Sequence, residues 1–133
     1  MTFPVVDGLR AIEFAEPGEL RIWLVDLVVN GNKRATAGLM SDYEDEGEPL
    51  EHVGERLVIL DNDGQRVATV RVTKVVVSRF ADVPDEFALA EGEGDLDAAD
   101  FHASHTKYWA SVGTPVTDDT QVVQLYFELL SRD

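Results

Sequence analysis

Two short segments hold the residue types that acid–base or nucleophilic chemistry needs. The first is Gly31-Asn32-Lys33-Arg34-Ala35-Thr36-Ala37-Gly38. Its glycines let the backbone bend and approach a ligand closely. A lysine drawn partly out of water can serve as a base or hold an anion. Thr36 adds a hydroxyl that a neighbouring base can turn into a nucleophile. The order lacks the adjacent Gly-Lys-Ser/Thr of a phosphate loop. Taken alone, the segment also reads as a helix-to-strand turn with a solvated lysine. The second segment is Ala90-Glu91-Gly92-Glu93-Gly94-Asp95. A carboxylate from it, held near Lys33, could relay protons. Alone, it also reads as a polar linker between helices.

A third group is His102, His105, Tyr108 and Trp109. Two histidines three apart on a helix make a metal site only with a further ligand, from His52 or the acids. No metal is expected. The face reads instead as core with hydrogen-bonded histidines, or as a pocket wall whose rings stack on a planar ligand.

The elements that must position these groups follow from periodicity. Ala11 to Ala15 is a short strand, broken by Pro17 and Gly18. Leu20, Trp23, Leu24, Leu27 and Val28 recur at helical spacing, with Ile22, Val25 and Val29 widening the apolar face. A largely buried helix is expected, stopped by Asn30-Gly31. Asp42 to Glu55 is rich in acids and reads as a solvated helix or loop. Arg56 to Leu60 is a buried strand. Asp61-Asn62-Asp63-Gly64 is a hairpin turn, and the return strand runs from Arg66 to about Ser78. Its alternation slips at Val75-Val76-Val77, which suggests a bulge or burial on both sides. Asp82 to Ala90 is a short helix. Asp95 or Asp97 caps a second, to about Ala110, with Ala98, Phe101, His102, His105, Tyr108 and Trp109 on one face. The last strand puts Val123, Leu125, Phe127 and Leu129 on one side, and Val122, Gln124, Tyr126 and Glu128 on the other. Several antiparallel strands with late helices give an α+β barrel or sheet.

The chain has 133 residues, read as one domain over 1–133. Its 44% hydrophobic and 28% charged residues are ordinary for a globular protein. Having no cysteine, it excludes disulfide scaffolds, thiolate metal sites and a cysteine nucleophile. Eleven Lys plus Arg stand against 26 Asp plus Glu, a formal charge of -15. Only Lys33, Lys74 and Lys107 are lysines, and the arginines are scattered. That field repels long duplex nucleic acid, which needs clustered cations. No apolar run approaches the roughly 18 residues of a membrane span. The opening residues MTFPVVDGLR read as no signal peptide. A cytoplasmic protein with no membrane partner is expected.

The order of several motifs is more specific than any one of them. Gly-Asn-Lys-Arg-Ala-Thr-Ala-Gly is followed by Glu46 to Leu50, Val53-Gly54, the Leu60 to Gly64 hairpin and Glu86-Phe87-Ala88. Then come Ala90 to Asp95 and a helix with Phe101, His105, Tyr108 and Trp109. From about Ala11 to Leu130 this resembles the ASCH domain family of the PUA-like superfamily, in its longer bacterial branch. Arg34 stands where family members often carry threonine.

The resemblance implies an α+β fold, a small PUA-like β-barrel with flanking helices. It also implies a cleft beside the barrel, lined by Gly31, Lys33 and Thr36, that takes RNA or a nucleoside. A small bacterial branch of the family hydrolyses the acetyl amide of N4-acetylcytidine. There a lysine and a threonine of this segment, with a glutamate from the later loop, are the catalytic groups; the matching residues are Lys33, Thr36 and Glu93. Lys33 would act as base toward Thr36 Oγ1 or water, and Glu93 would shuttle the proton. Backbone N–H groups between Gly31 and Ala37 would hold the oxyanion, at about 3 kcal/mol per donor. Gly31, Arg34, Glu91, His105, Tyr108 and Trp109 would contact substrate. No cofactor is implied, and the partner is a nucleoside or short RNA. Two other readings stay open. In one the chain binds RNA or nucleotide without chemistry, with Lys33 and Arg34 on phosphate. In the other it is a ribonuclease, an activity reported as metal-dependent in a different branch.

Overall fold

A computed structural model describes residues 3–133 of the chain. Met1 and Thr2, which begin the segment read as lacking a signal, lie outside the described residues. The elements in order are β1 Val5–Val6, β2 Leu9–Ile12, α1 Glu19–Val29, β3 Ala35–Leu39, α2 Met40–Glu46 and β4 Arg56–Leu60. Then follow β5 Arg66–Arg79, a 3-10 turn Phe80–Asp82, α3 Asp85–Glu91, α4 Ala98–Ser111 and β6 Gln121–Arg132.

The six strands form one sheet in the order β1-β2-β4-β5-β6-β3. The expected barrel is not closed: β1 and β3 are the two edges, and no pairing joins them among the described residues. A two-residue β1 offers too few backbone groups for a ladder across that gap. The sheet is also mixed, since β2 runs parallel to β4, with Ala11 opposite Val58 and Ile12 opposite Ile59. Parallel neighbours need a long crossover, and here it holds α1, β3 and α2. The remaining pairs are antiparallel.

β6 shows why the sheet is covered on both sides. Its side chains alternate by face. Leu125 and Phe127 join one core with Leu24, Val25 and Val28 of α1, and with Leu57, Ile59, Val70 and Val72. Val122 and Tyr126 join a second core with Phe87 of α3, Phe101 and Trp109 of α4, and Ala35 and Leu39 of β3. The alternation read from the sequence therefore holds. The slip in β5 is real but falls earlier, between Val72 and Lys74, with another between Thr69 and Val70.

Two helices depart from expectation. The apolar stripe predicts a largely buried α1, yet the helix buries only Arg21, Leu24, Val25 and Val28. Leu20, Ile22 and Trp23 are exposed. The helix turns its polar Arg21 inward because the guanidinium has carbonyls to meet: Nε donates to Phe14 O at 2.9 Å and Nη2 to Ala15 O at 2.6 Å. The stretch expected to be a solvated acidic surface is helical only over α2. It buries Tyr43 and Glu51, joined by a 2.7 Å hydrogen bond from Tyr43 Oη to Glu51 Oε1.

Candidate functional site: a buried Lys33 cluster beside a cleft

Lys33 is not solvated. It follows the turn that ends α1, with its N–H on Leu27 O at 2.9 Å. The next amide, that of Arg34, donates to Ala90 O at 2.7 Å. That bond ties the start of β3 to the end of α3 and draws Lys33 beneath the Glu91-Gly92-Glu93 turn. The residue is 2% exposed. Nζ donates to Glu93 Oε2 at 2.5 Å and to Ala35 O at 2.7 Å. Glu91 Oε2 lies 3.8 Å away, and the Phe14 ring centroid 5.5 Å.

Gly92 makes this approach possible. A Cβ there would stand 2.3 Å from Asn32 O and 3.1 Å from Lys33 Cα, and the residue has φ +67. Only glycine accepts both the crowding and the left-handed backbone. It lies between two glutamates with different surroundings. The Glu91 side chain is 1% exposed, that of Glu93 20%. Burial pushes the Glu93 carboxyl above its ordinary value and Glu91 adds to the rise, while Lys33 and His105 oppose it.

His105 closes the cluster from α4. Its Nε2 stands 3.1 Å from Glu91 Oε1, an oxygen that has no well-directed hydrogen-bond partner of its own. Nδ1 lies 3.1 Å from Phe101 O, and the ring stacks on Phe101 at 3.9 Å. Burial lowers the imidazole pKa, but Glu91, Glu93 and the Phe101 carbonyl outweigh it and hold the group above its ordinary value. Glu91, Glu93 and His105 place one ligand atom each within 4.8 Å of one another, a spacing a metal could use. The Lys33 ammonium already stands on Glu93, so the cluster carries its own cation. The three histidines do not converge. His102 Nε2 meets Phe80 O at 2.9 Å, and His52 pairs with Glu55 at the surface.

A cleft of about 450 Å³ opens beside the cluster, within the range of small-molecule sites. Thr36 and Gly38 of β3 help line it, with Phe14 to Pro17 on one wall and Tyr108, Trp109 and Val112 on another. Tyr43 and Glu51 also line it. Thr36 is in this wall because alternation on β3 sends Ala35 and Leu39 into the second core. Its hydroxyl makes no hydrogen bond to Lys33 or Glu93 among the described residues. Phe14 and Tyr108 connect the cluster to the cleft. Phe14 lines the cleft and lies under Lys33 Nζ. Tyr108 lines it too; burial raises its phenol pKa, with Glu16 and Glu93 adding to the rise.

The sequence-derived residues thus divide. Lys33, Glu91, Glu93 and His105 form the cluster; Thr36, Tyr108 and Trp109 line the cleft. Trp109 is core, packed edge-on to Phe80, so Tyr108 is the more available ring. Gly31 and Arg34 reach neither: both are exposed, Gly31 in the turn after α1 and Arg34 pointing away from the buried Lys33 and Ala35 beside it. The expected oxyanion amides are largely occupied. Those of Gly31, Asn32, Lys33 and Arg34 donate to Val28 O, Asn30 Oδ1, Leu27 O and Ala90 O. Sequence reasoning missed Phe14, Arg21 and the Tyr43–Glu51 pair. A cation inside the apolar stripe of α1 was the available sign for Arg21.

An open mixed sheet with α1 against one core, α3 and α4 against the other, and a lysine cluster where β3 begins define the class of domain. The ASCH domain family model matches residues 10–131, and the chain belongs to that family. The ASCH domain from Lactobacillus crispatus JV V101 is 27% identical, with TM-score 0.74 over 90% of this chain and 77% of that one. Protein EF3133 from Enterococcus faecalis V583 is 28% identical, with TM-score 0.78 over 99% and 79%. A mutant of the ZmASCH protein from Zymomonas mobilis is 9% identical, with TM-score 0.52 over 84% and 69%, and shares the fold alone. No curated protein matches the chain. Among the described residues no helix is long and apolar enough to cross a membrane.

Proposed function

We propose that the chain binds a modified nucleoside in this cleft and hydrolyses an N4-acylated cytidine amide. The observation that carries the reading is the buried Lys33–Glu93 contact of 2.5 Å, next to a cleft with Thr36 in its wall. Moving one proton along that contact leaves a neutral amine on Lys33 and an acid on Glu93. The amine takes the Thr36 hydroxyl proton as Oγ1 attacks the acyl carbonyl. Lys33, now an ammonium, stands beside the developing oxyanion. Glu93 gives its proton to N4 as the C–N bond breaks, releasing cytidine. Water then hydrolyses the threonine ester to free carboxylate and restore Thr36. Catalytic hydrogen bonds often close only with substrate bound, which fits a Thr36 hydroxyl still free of both groups.

The test is incubation with N4-acetylcytidine and chromatography of the products. Cytidine and acetate are expected, with rates at least about 100-fold lower for Lys33→Ala, Thr36→Val and Glu93→Gln. Equal rates for Lys33→Ala and the unaltered chain would sink the reading. Simple RNA binding has less support. Arg21, the cation that lines the cleft, directs its guanidinium to Phe14 O and Ala15 O, and Arg34 lies outside.

A further inference from the structure

His105 has no role in the proton path above, yet its geometry is restrictive. Both ring nitrogens face accepting oxygens, and the Ser104 hydroxyl 3.1 Å from Nδ1 directs its own proton to Asp95 Oδ2 at 2.9 Å. Nδ1 faces the Phe101 carbonyl at 3.1 Å, and Nε2 faces Glu91 Oε1 at 3.1 Å. A neutral imidazole has one N–H and satisfies only one of them; an imidazolium satisfies both. The other groups around the ring are Glu93 and Asp95 from the loop before α4, with Asp95 Oδ2 at 4.0 Å from Nδ1, and Ser104 Oγ at 3.1 Å. Lys33 faces it only across Glu91 and Glu93. Phe101 and Trp109 supply aromatic faces, which suit a cation.

Charge counting gives the second argument. A Lys33 ammonium with two buried carboxylates leaves the cluster at one negative charge. An imidazolium at His105 makes it neutral, which a site this dry strongly favours. The two glutamates then differ. Glu91 keeps a permanent partner, and Glu93 has only Lys33.

We propose that His105 is held as an imidazolium on Glu91, and that this pair is a positioning device directing the exchangeable proton of Lys33 to Glu93. The inference rests on the hydrolase reading for its consequence, but not for its observable. With Glu91 locked, moving the proton from Lys33 to Glu93 changes no net charge in the cluster. Without the lock, Glu91 competes for that proton from 3.8 Å away. His105 touches no reacting atom in this scheme.

The test has two arms. The first is nitrogen–proton correlation NMR of the imidazoles at pH 7, on the full chain. His105 is expected to carry protons on both nitrogens. A single protonated nitrogen on His105 at pH 7 overturns the proposal. The second arm is the pH dependence of N4-acetylcytidine turnover. Glu91→Gln, which is nearly isosteric, should remove the second proton from His105 and move the alkaline limb of the profile down by about one pH unit, roughly a tenfold loss at the pH of that limb. His105→Asn has no imidazole to titrate and leaves Glu91 free to compete from 3.8 Å, so it should abolish that alkaline limb and lower the rate at every pH. A Glu91→Gln profile that only scales down, without shifting, also overturns the proposal. If no variant and no parent chain hydrolyses the substrate, the hydrolase reading fails, and the NMR result still decides the state of His105.

Discussion

Replacing Gly92 by alanine tests whether the two glutamates are held where the cluster needs them. The new Cβ would stand 2.3 Å from Asn32 O and 2.8 Å from its carbonyl carbon. Ordinary contact begins near 3.4 Å, so the turn must retreat by about 1 Å. A left-handed alanine at φ +67 costs about 1–2 kcal/mol. The same retreat lengthens the Lys33–Glu93 contact beyond hydrogen-bond reach, and a bond between charged groups contributes about 1.5–3 kcal/mol. The total is about 3–5 kcal/mol. At the usual unfolding entropy per residue, a chain of this length then melts about 10–18 °C lower. Hydrolysis should fall about 100-fold, the usual cost of a 1 Å displacement of a reacting group. Gly94→Ala is the control. That residue also has positive φ, but nothing lies within 4 Å of the added carbon, so backbone strain alone should lower the melting temperature by about 4–7 °C. Circular dichroism melts of both variants decide. If Gly92→Ala melts no lower than Gly94→Ala and turns over normally, the close approach does not govern the site.

Three further outcomes follow from the same geometry. Lys33→Met leaves Glu93 without its cation and should cost about 3–5 kcal/mol in urea unfolding; adding Glu93→Gln should recover part of it, and a double variant no more stable than the single one refutes the ion-pair account. His105 and Glu93 both have raised pKa values, so the folded chain holds these protons more tightly than the unfolded one. The His105 contribution is complete below the unfolded value of about 6.5 and is lost as pH rises through the folded value, and Glu93 acts with the same sign from about pH 4.3 upward. Stability in urea should therefore fall as pH rises above about 6.5, and His105→Asn should flatten that slope; a rise with pH there contradicts the sign. Arg21→Met strips the Phe14 and Ala15 carbonyls of their donor and should cost about 2–4 kcal/mol, with faster hydrogen exchange in the 14–17 wall of the cleft; unchanged exchange there means the guanidinium does not hold that wall.

Much of the fold was legible because local rules agreed with the tertiary ones. The Asp61 to Gly64 hairpin and the two faces of β6 needed nothing beyond turn chemistry and a period of two. The face of α1 was not legible, because Arg21 is buried for carbonyls that lie in another segment. β3 reads from the sequence as the far part of a turn. Its Ala-Thr-Ala-Gly-Leu sequence has weak strand preference, and it is a strand because β6 pairs with it. The cluster was half legible. Lys33 and Glu93 came from the order of motifs, but the pairing of Glu91 with His105 depends on how α3 and α4 pack. The oxyanion amides failed for a related reason: the turn after α1 uses its N–H groups to build itself.

β3 has one sheet neighbour, β6, which comes from the other end of the sequence. A chain made from its amino terminus therefore carries Lys33 and Thr36 long before the strand that shapes their wall exists. Until β6 is laid down, β3 is a five-residue edge with no ladder, and neither core has its β6 side chains. The cleft cannot be an early, partly working intermediate. Laying down β6 gives β3 its ladder and both cores their last side chains, so damage to that strand reaches the wall that holds Thr36 even when every residue of the cluster is intact.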